Sequence, residues 1–113
     1  MAGAIKRIAG PAYLGASVAD LYTPPNAAVY TVITHIHVAN VTASAATFTL
    51  YVGATAGSTG GTELFKGYSV AANSAYDWYP VRGLKMLSTD FLSGLASAGS
   101  TLVVTVLGTY EAT

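Results

Sequence analysis

From Phe48 to Val52 the chain alternates without a break. Phe48, Leu50 and Val52 fall on one side, and Thr47, Thr49 and Tyr51 fall on the other. A repeat of two marks a strand with one buried face, because successive side chains leave a strand in opposite directions. Val29 to Asn40 opens on Val29, Tyr30, Thr31, Val32 and Ile33, all strong strand formers. Tyr30, Val32, Ile36 and Val38 are predicted to line its apolar face, with Thr31, His35 and His37 on the other. The connection over residues 41–45 is short enough to join these two strands as a hairpin.

The rest of the chain reads in the same way. Thr55 to Gly61 is small and polar and is expected to be an exposed loop. Glu63 to Val70 forms a strand, residues 71–74 turn the chain, and Ala75 to Val81 forms the next, with Pro80 marking an edge or a strand end. A strand led by Asp90 runs to about Ala96 and turns at Ala98 to Ser100 into the last one, Thr101 to Glu111. There Leu102, Val104 and Val106 alternate with Thr101, Val103 and Thr105. Val103 and Leu107 make the second face apolar too, so this strand is expected to be covered on both sides. In Ala12 to Tyr22, Leu14, Val18 and Leu21 have helical spacing. Gly15 and Pro24-Pro25 work against a helix, and two short strands around a turn are expected.

The fold expected is all-β, an antiparallel β-sandwich of seven to eight strands, with a jelly roll as one arrangement. Its core is predicted from Val32, Ile36, Val38, Phe48, Leu50, Val52, Leu102, Val104 and Val106. At 113 residues there is room for one domain. Gly10-Pro11 suggests a break between an N-terminal arm, residues 1–10, and a sandwich over residues 11–113. The arm carries Ile5, Lys6, Arg7 and Ile8, which cannot bury against one another, so it is expected to order on another surface.

Charge narrows the function. Charged residues make up 9% of the chain, against roughly 25% in ordinary soluble domains, and five basic residues balance five acidic ones. A neutral, charge-poor chain is poorly suited to nucleic acid, whose binding rests on many basic contacts to phosphates. No uninterrupted apolar run approaches the roughly 18 residues of a membrane-spanning segment. The N-terminus lacks the apolar core of a signal peptide, so a cytoplasmic site of synthesis is expected. Cysteine is absent, which excludes disulfides, thiolate chemistry and Cys-ligated zinc. Low charge also favours self-association.

Few residues offer chemistry. His35 and His37 lie two apart on a strand and project from one face, a spacing that chelates a metal if a third ligand arrives from elsewhere. Asp20, Glu63, Asp77, Asp90 and Glu111 are the available carboxylates, and none stands in a ligand pattern. The expectation is therefore no metal and no cofactor, with two partly exposed histidines that hydrogen-bond or pack at an interface. No nucleophile elbow is present, and the glycine loop lacks the Gly-Lys-Ser/Thr ending of a phosphate cradle. Tyr76, Trp78 and Tyr79 with Arg82 have the composition of an interface hot spot. They could also stack on sugar rings or belong to the core.

The succession Ala12-Tyr-Leu14, Leu21-Tyr-Thr-Pro-Pro25 and Ile33-Thr-His-Ile-His-Val-Ala-Asn40 resembles a broad group of small tailed-phage virion proteins. So does the continuation through Thr42 to Leu50, Leu64 to Val70, Ala71-Ala-Asn73 and the strand led by Asp90. Pro25-Asn26 departs from the Ala-Gly often found in the group. The resemblance implies a non-enzymatic β-sandwich on the virion. Its expected role is capsid decoration or cement at the capsid surface, as a homo-oligomer (a trimer by analogy) partnered with the major capsid protein. A tail or baseplate accessory protein and a carbohydrate-binding module for host attachment are the alternatives. The partner-binding residues expected are Ile5, Lys6, Arg7, Ile8, Tyr76, Trp78, Tyr79 and Arg82.

Overall fold

A computed structural model describes residues 6–24, 29–53 and 63–112. They form nine strands: β1 (Lys6–Tyr13), β2 (Ala19–Tyr22), β3 (Val29–Asn40), β4 (Ala46–Gly53), β5 (Glu63–Val70), β6 (Ala75–Trp78), β7 (Leu84–Met86), β8 (Phe91–Ala96) and β9 (Leu102–Ala112). Two antiparallel sheets result. The first has the order β1-β9-β3-β6, with β7 also on β3, and the second has the order β2-β8-β4-β5.

The pairings nest. β4 pairs with β5, β3 with β6, β2 with β8 and β1 with β9. This is one long antiparallel ribbon folded over, and it closes on itself where β3 meets β9 and β4 meets β8. Two four-stranded sheets wound in this way make a jelly roll, with β7 as a short addition.

The hairpin expected between β3 and β4 does not form. Residues 41–45 instead carry the chain from the first sheet to the second. Asn40, 3% exposed, fixes that crossing. Its side-chain nitrogen donates to the carbonyl oxygens of Ser44 and Val70 at 2.8 and 3.0 Å. Its Oδ1 accepts from the Thr42 amide at 2.9 Å and from the Thr42 hydroxyl at 2.7 Å. All the hydrogen-bonding capacity of the amide is used, and the contact to Val70 ties the end of β3 to the end of β5.

A register shift between Ile33 and His35 divides β3. Thr31 and Ile33 face the core before it, and Ile36 and Val38 after it, all at most 1% exposed. Tyr30 and Val32 therefore lie on the outer side and are only half-buried; the expectation that they line the core is corrected. Strict alternation cannot reveal an inserted residue, which turns every side chain on one side of it to the opposite face. Gly108, paired with Ile33, admits this irregularity. A Cβ there would press into the Val32 carbonyl oxygen.

The core joins both sheets through Leu14, Ile33, Ile36, Val38, Phe48, Leu50, Leu92, Leu102, Val104 and Val106. Val52 packs at its margin. Tyr22 of β2 adds a polar link, its hydroxyl 2.6 Å from the hydroxyl of the fully buried Thr31 in the opposite sheet.

The N-terminal boundary also differs from expectation. Lys6 to Ala9 belong to β1 and pair with β9, and Ile8 packs against the core. Gly10, with φ of 75°, and the cis Gly10-Pro11 bond lie inside the strand, where the register shifts between Ala9 and Ala12. The pair marks an irregularity within the sheet, and the sandwich already includes Lys6. Residues 1–5, the Pro25-Asn26 pair and the Thr55–Gly61 segment fall outside the described residues.

Candidate functional site

Residues opposite one another in an antiparallel ladder project to the same side, so the registers define the outer face of the first sheet row by row. Tyr13, Val103, Ala39 and Ala75 make one row. Thr105, His37 and Asp77 make the next, and Arg7, Leu107 and His35 the one after. Val103, Thr105 and Leu107 are half-buried. The second cover expected over β9 is not found among the described residues, whose two sheets pack through the opposite face.

The histidines meet on this face. His35 Nε2 and His37 Nδ1 approach the same oxygen, Asp77 Oδ1, at 2.8 and 2.5 Å. Register dictates the meeting, because β6 lies beside β3 and Asp77 stands directly opposite His37. Hydrogen bonds from His37 and then His35 hold the exposed Asp77 carboxyl below its ordinary value of 3.8. The Tyr79 ring stacks on His35 at 4.2 Å with 10° between planes, and the two imidazoles meet edge to face at 6.1 Å. Sequence reasoning named Asp77 as one of five possible carboxylates. The signal that singles it out is the β3–β6 pairing, which is non-local.

The aromatic set is split. Tyr76 and Trp78 pair with Val38 and Ile36, so they face inward. There they join Phe48, Phe65 and Tyr68 in a cluster that packs between the β5 and β6 edges of the sandwich, with Phe65 edge-on to Trp78 at 5.2 Å. Tyr79 lies outside, 65% exposed. Arg82 is exposed in the turn before β7. Of the readings open for this set, membership of the core fits Tyr76 and Trp78, while Tyr79 stays on the outside. Lys6 and Arg7 are exposed on β1, with the Lys6 ammonium 5.4 Å from the centre of the Tyr110 ring. Of the eight residues expected to bind a partner, Ile5 lies outside the described residues, and the other seven do not share one surface.

Fold and face together define a small all-β jelly-roll module. Two solved structures similar to it are each described as a pentameric capsid protein isolated from metagenomic phage sequences. One is 16% identical with a TM-score of 0.38, covering 86% of this chain and 58% of that one. The other is 17% identical with a TM-score of 0.33, covering 88% of this chain and 57% of that one. This chain thus spans less than two thirds of their length. No protein-family model and no curated protein matches it.

Proposed function

We propose that the protein is a non-enzymatic structural component of a phage virion, a capsid decoration or cement module that acts as a homo-oligomer bound to the major capsid protein. The observation that carries this reading is the outer face of the first sheet. Its central rows present Tyr13, Val103, Leu107 and Ala39 in a chain that has few charges with which to hold neighbours apart. A sheet face that interleaves Val103, Ala39 and Leu107 with the Thr105, His37 and Asp77 row has the mixed apolar and polar make-up of a protein contact surface. Because such a contact exists only in the assembled particle, its free energy stabilises the particle by linkage. The sequence resemblance to tailed-phage virion proteins supports the same reading, and a rigid sandwich suits a part that bridges subunits.

The test is sedimentation of particles built from the capsid protein of the same genome, after incubation with purified module. Wild type is expected to co-sediment. Leu107→Lys, which sets a charge in the middle of the face, is expected to remain in the supernatant while melting within a few degrees of wild type. Co-sedimentation of Leu107→Lys at wild-type levels would remove this face from the contact. Binding to isolated tails instead of capsids would move the protein to the tail. Light scattering of the free module tests the oligomer, with a trimeric mass expected by analogy with the resembled group.

A further inference from the structure

The chain has two histidines and five acidic residues. Both histidines converge on one of the five acids. His35 Nε2, His37 Nδ1 and a carboxylate oxygen of Asp77 all lie within 4.8 Å of one another. A zinc-class ion binds nitrogen and oxygen at about 2.0–2.2 Å, so two of its ligand atoms stand about 3–3.5 Å apart by simple trigonometry on those lengths. The spacing here is within small side-chain adjustments of that requirement. The rings use different nitrogens, yet both nitrogens turn towards the same oxygen.

The arrangement is held from outside the cluster. β3 and β6 fix His37 and Asp77 opposite each other, and β3 places His35 two residues away on the same face. Tyr79 stacks flat on the His35 ring and limits its rotation. The His35 side chain is 17% exposed, while those of His37 and Asp77 are 39% and 42% exposed. One side of the cluster is therefore sheltered and the other open. Two imidazoles and one carboxylate form a borderline donor set that suits zinc, nickel or copper. Calcium and magnesium require more oxygen ligands than this cluster supplies.

We propose that His35, His37 and Asp77 form a three-ligand site for a divalent zinc-class ion on the outer face of the first sheet, with the remaining position open to water or an incoming donor. On binding, the ion replaces the hydrogen bonds that now run from the rings to Asp77. Each imidazole then carries its proton on its other nitrogen, Nδ1 in His35 and Nε2 in His37. The site is complete within one chain and does not rest on the virion reading.

The test is calorimetric titration of zinc chloride into the chelator-treated full chain, with cobalt(II) absorption as a second readout. One ion per chain is expected, together with visible cobalt bands and a rise in melting temperature with zinc. His37→Ala and Asp77→Asn are each expected to weaken binding by more than about tenfold, since even disturbing the partners of metal ligands has such effects. Asp77→Asn nearly preserves shape at an exposed position, so it reads binding even if a histidine variant fails to fold. Failure to saturate at millimolar zinc would overturn the proposal. So would wild-type affinity in Asp77→Asn and His37→Ala.

Discussion

On the outer face of the first sheet, the rows across β9 and β3 carry Val103, Leu107, Ala39 and the histidine pair, with Tyr13 and Tyr79 at the flanks. On the outer face of the second sheet, the rows across β8 and β4 carry Leu95 beside Thr49 and Ser93 beside Tyr51. Thr47 and Ser69 lie towards β5, and Asp20 towards β2. Both sheets bury their inner faces against the same core. What separates them is how the outer face is satisfied. On the second sheet, polar groups are satisfied within the sheet or by water: the buried Ser93 Oγ donates to Asp20 Oδ1 at 3.1 Å, and Ser69 is exposed. Valine and leucine gain from leaving water. The outer face of the second sheet carries more hydroxyls, and that of the first carries more aliphatic groups.

If the sheets differ only on their outer faces, core truncation should cost alike in both. Ile36→Ala in the first sheet and Leu50→Ala in the second, each at most 1% exposed, are expected to lose about 2–5 kcal/mol in denaturant melts. A loss below half of that range in one sheet alone would show that the two halves do not share one core.

A smaller effect probes the polar link between the sheets. Tyr22→Phe removes the partner of the buried Thr31 hydroxyl and is expected to cost about 1–3 kcal/mol. Burial first, and then the neighbouring Tyr110, push the Tyr22 phenol up to about 12 from 10.0. A raised pKa in the folded state means that folding favours the neutral phenol. Its contribution is intact below pH 10.0 and is lost as pH rises through about 12. Alkaline melts of wild type should show that extra loss, and melts of Tyr22→Phe should not.

The smallest effects separate the outer faces themselves. Thr47→Lys and Ser69→Lys on the second sheet are expected to change stability by less than about 0.5 kcal/mol. They should leave particle binding unchanged, in contrast to Leu107→Lys. Loss of co-sedimentation in these variants would invert the assignment of the two faces.

Short-range pattern was enough to locate β3, β4, β5, β6, β8 and β9. The alternation in Phe48 to Val52 and in Leu102 to Val106 marked their inward residues, because side-chain direction within a strand is a local property. Of the two short strands expected in Ala12 to Tyr22, β2 appears, whereas β1 overlaps that span only at Ala12 and Tyr13 and lies mostly in the expected arm. Local pattern failed at β3, where the shift near Thr34 turned Tyr30 and Val32 outward and Ile33 inward. It also left β7 unassigned, since three residues are too few to show a period.

By itself, the sequence determined the class of protein: all-β, single-cored, cysteine-free and nearly without charge. It also placed His35 and His37 on one face, since a spacing of two on an unbroken stretch of strand points both side chains the same way. Only the tertiary structure decided which strands are neighbours. Short connections at residues 41–45 and 71–74 read as turns within a sheet, yet both cross between sheets. Strand partnership depends on which apolar faces can be buried together across the whole chain, and no local window contains that information. The same non-local pairing set Asp77 against His37 and turned Tyr76 and Trp78 inward while Tyr79 stayed outside. The candidate site exists because β6 lies beside β3, an adjacency that packing of the two sheets imposes.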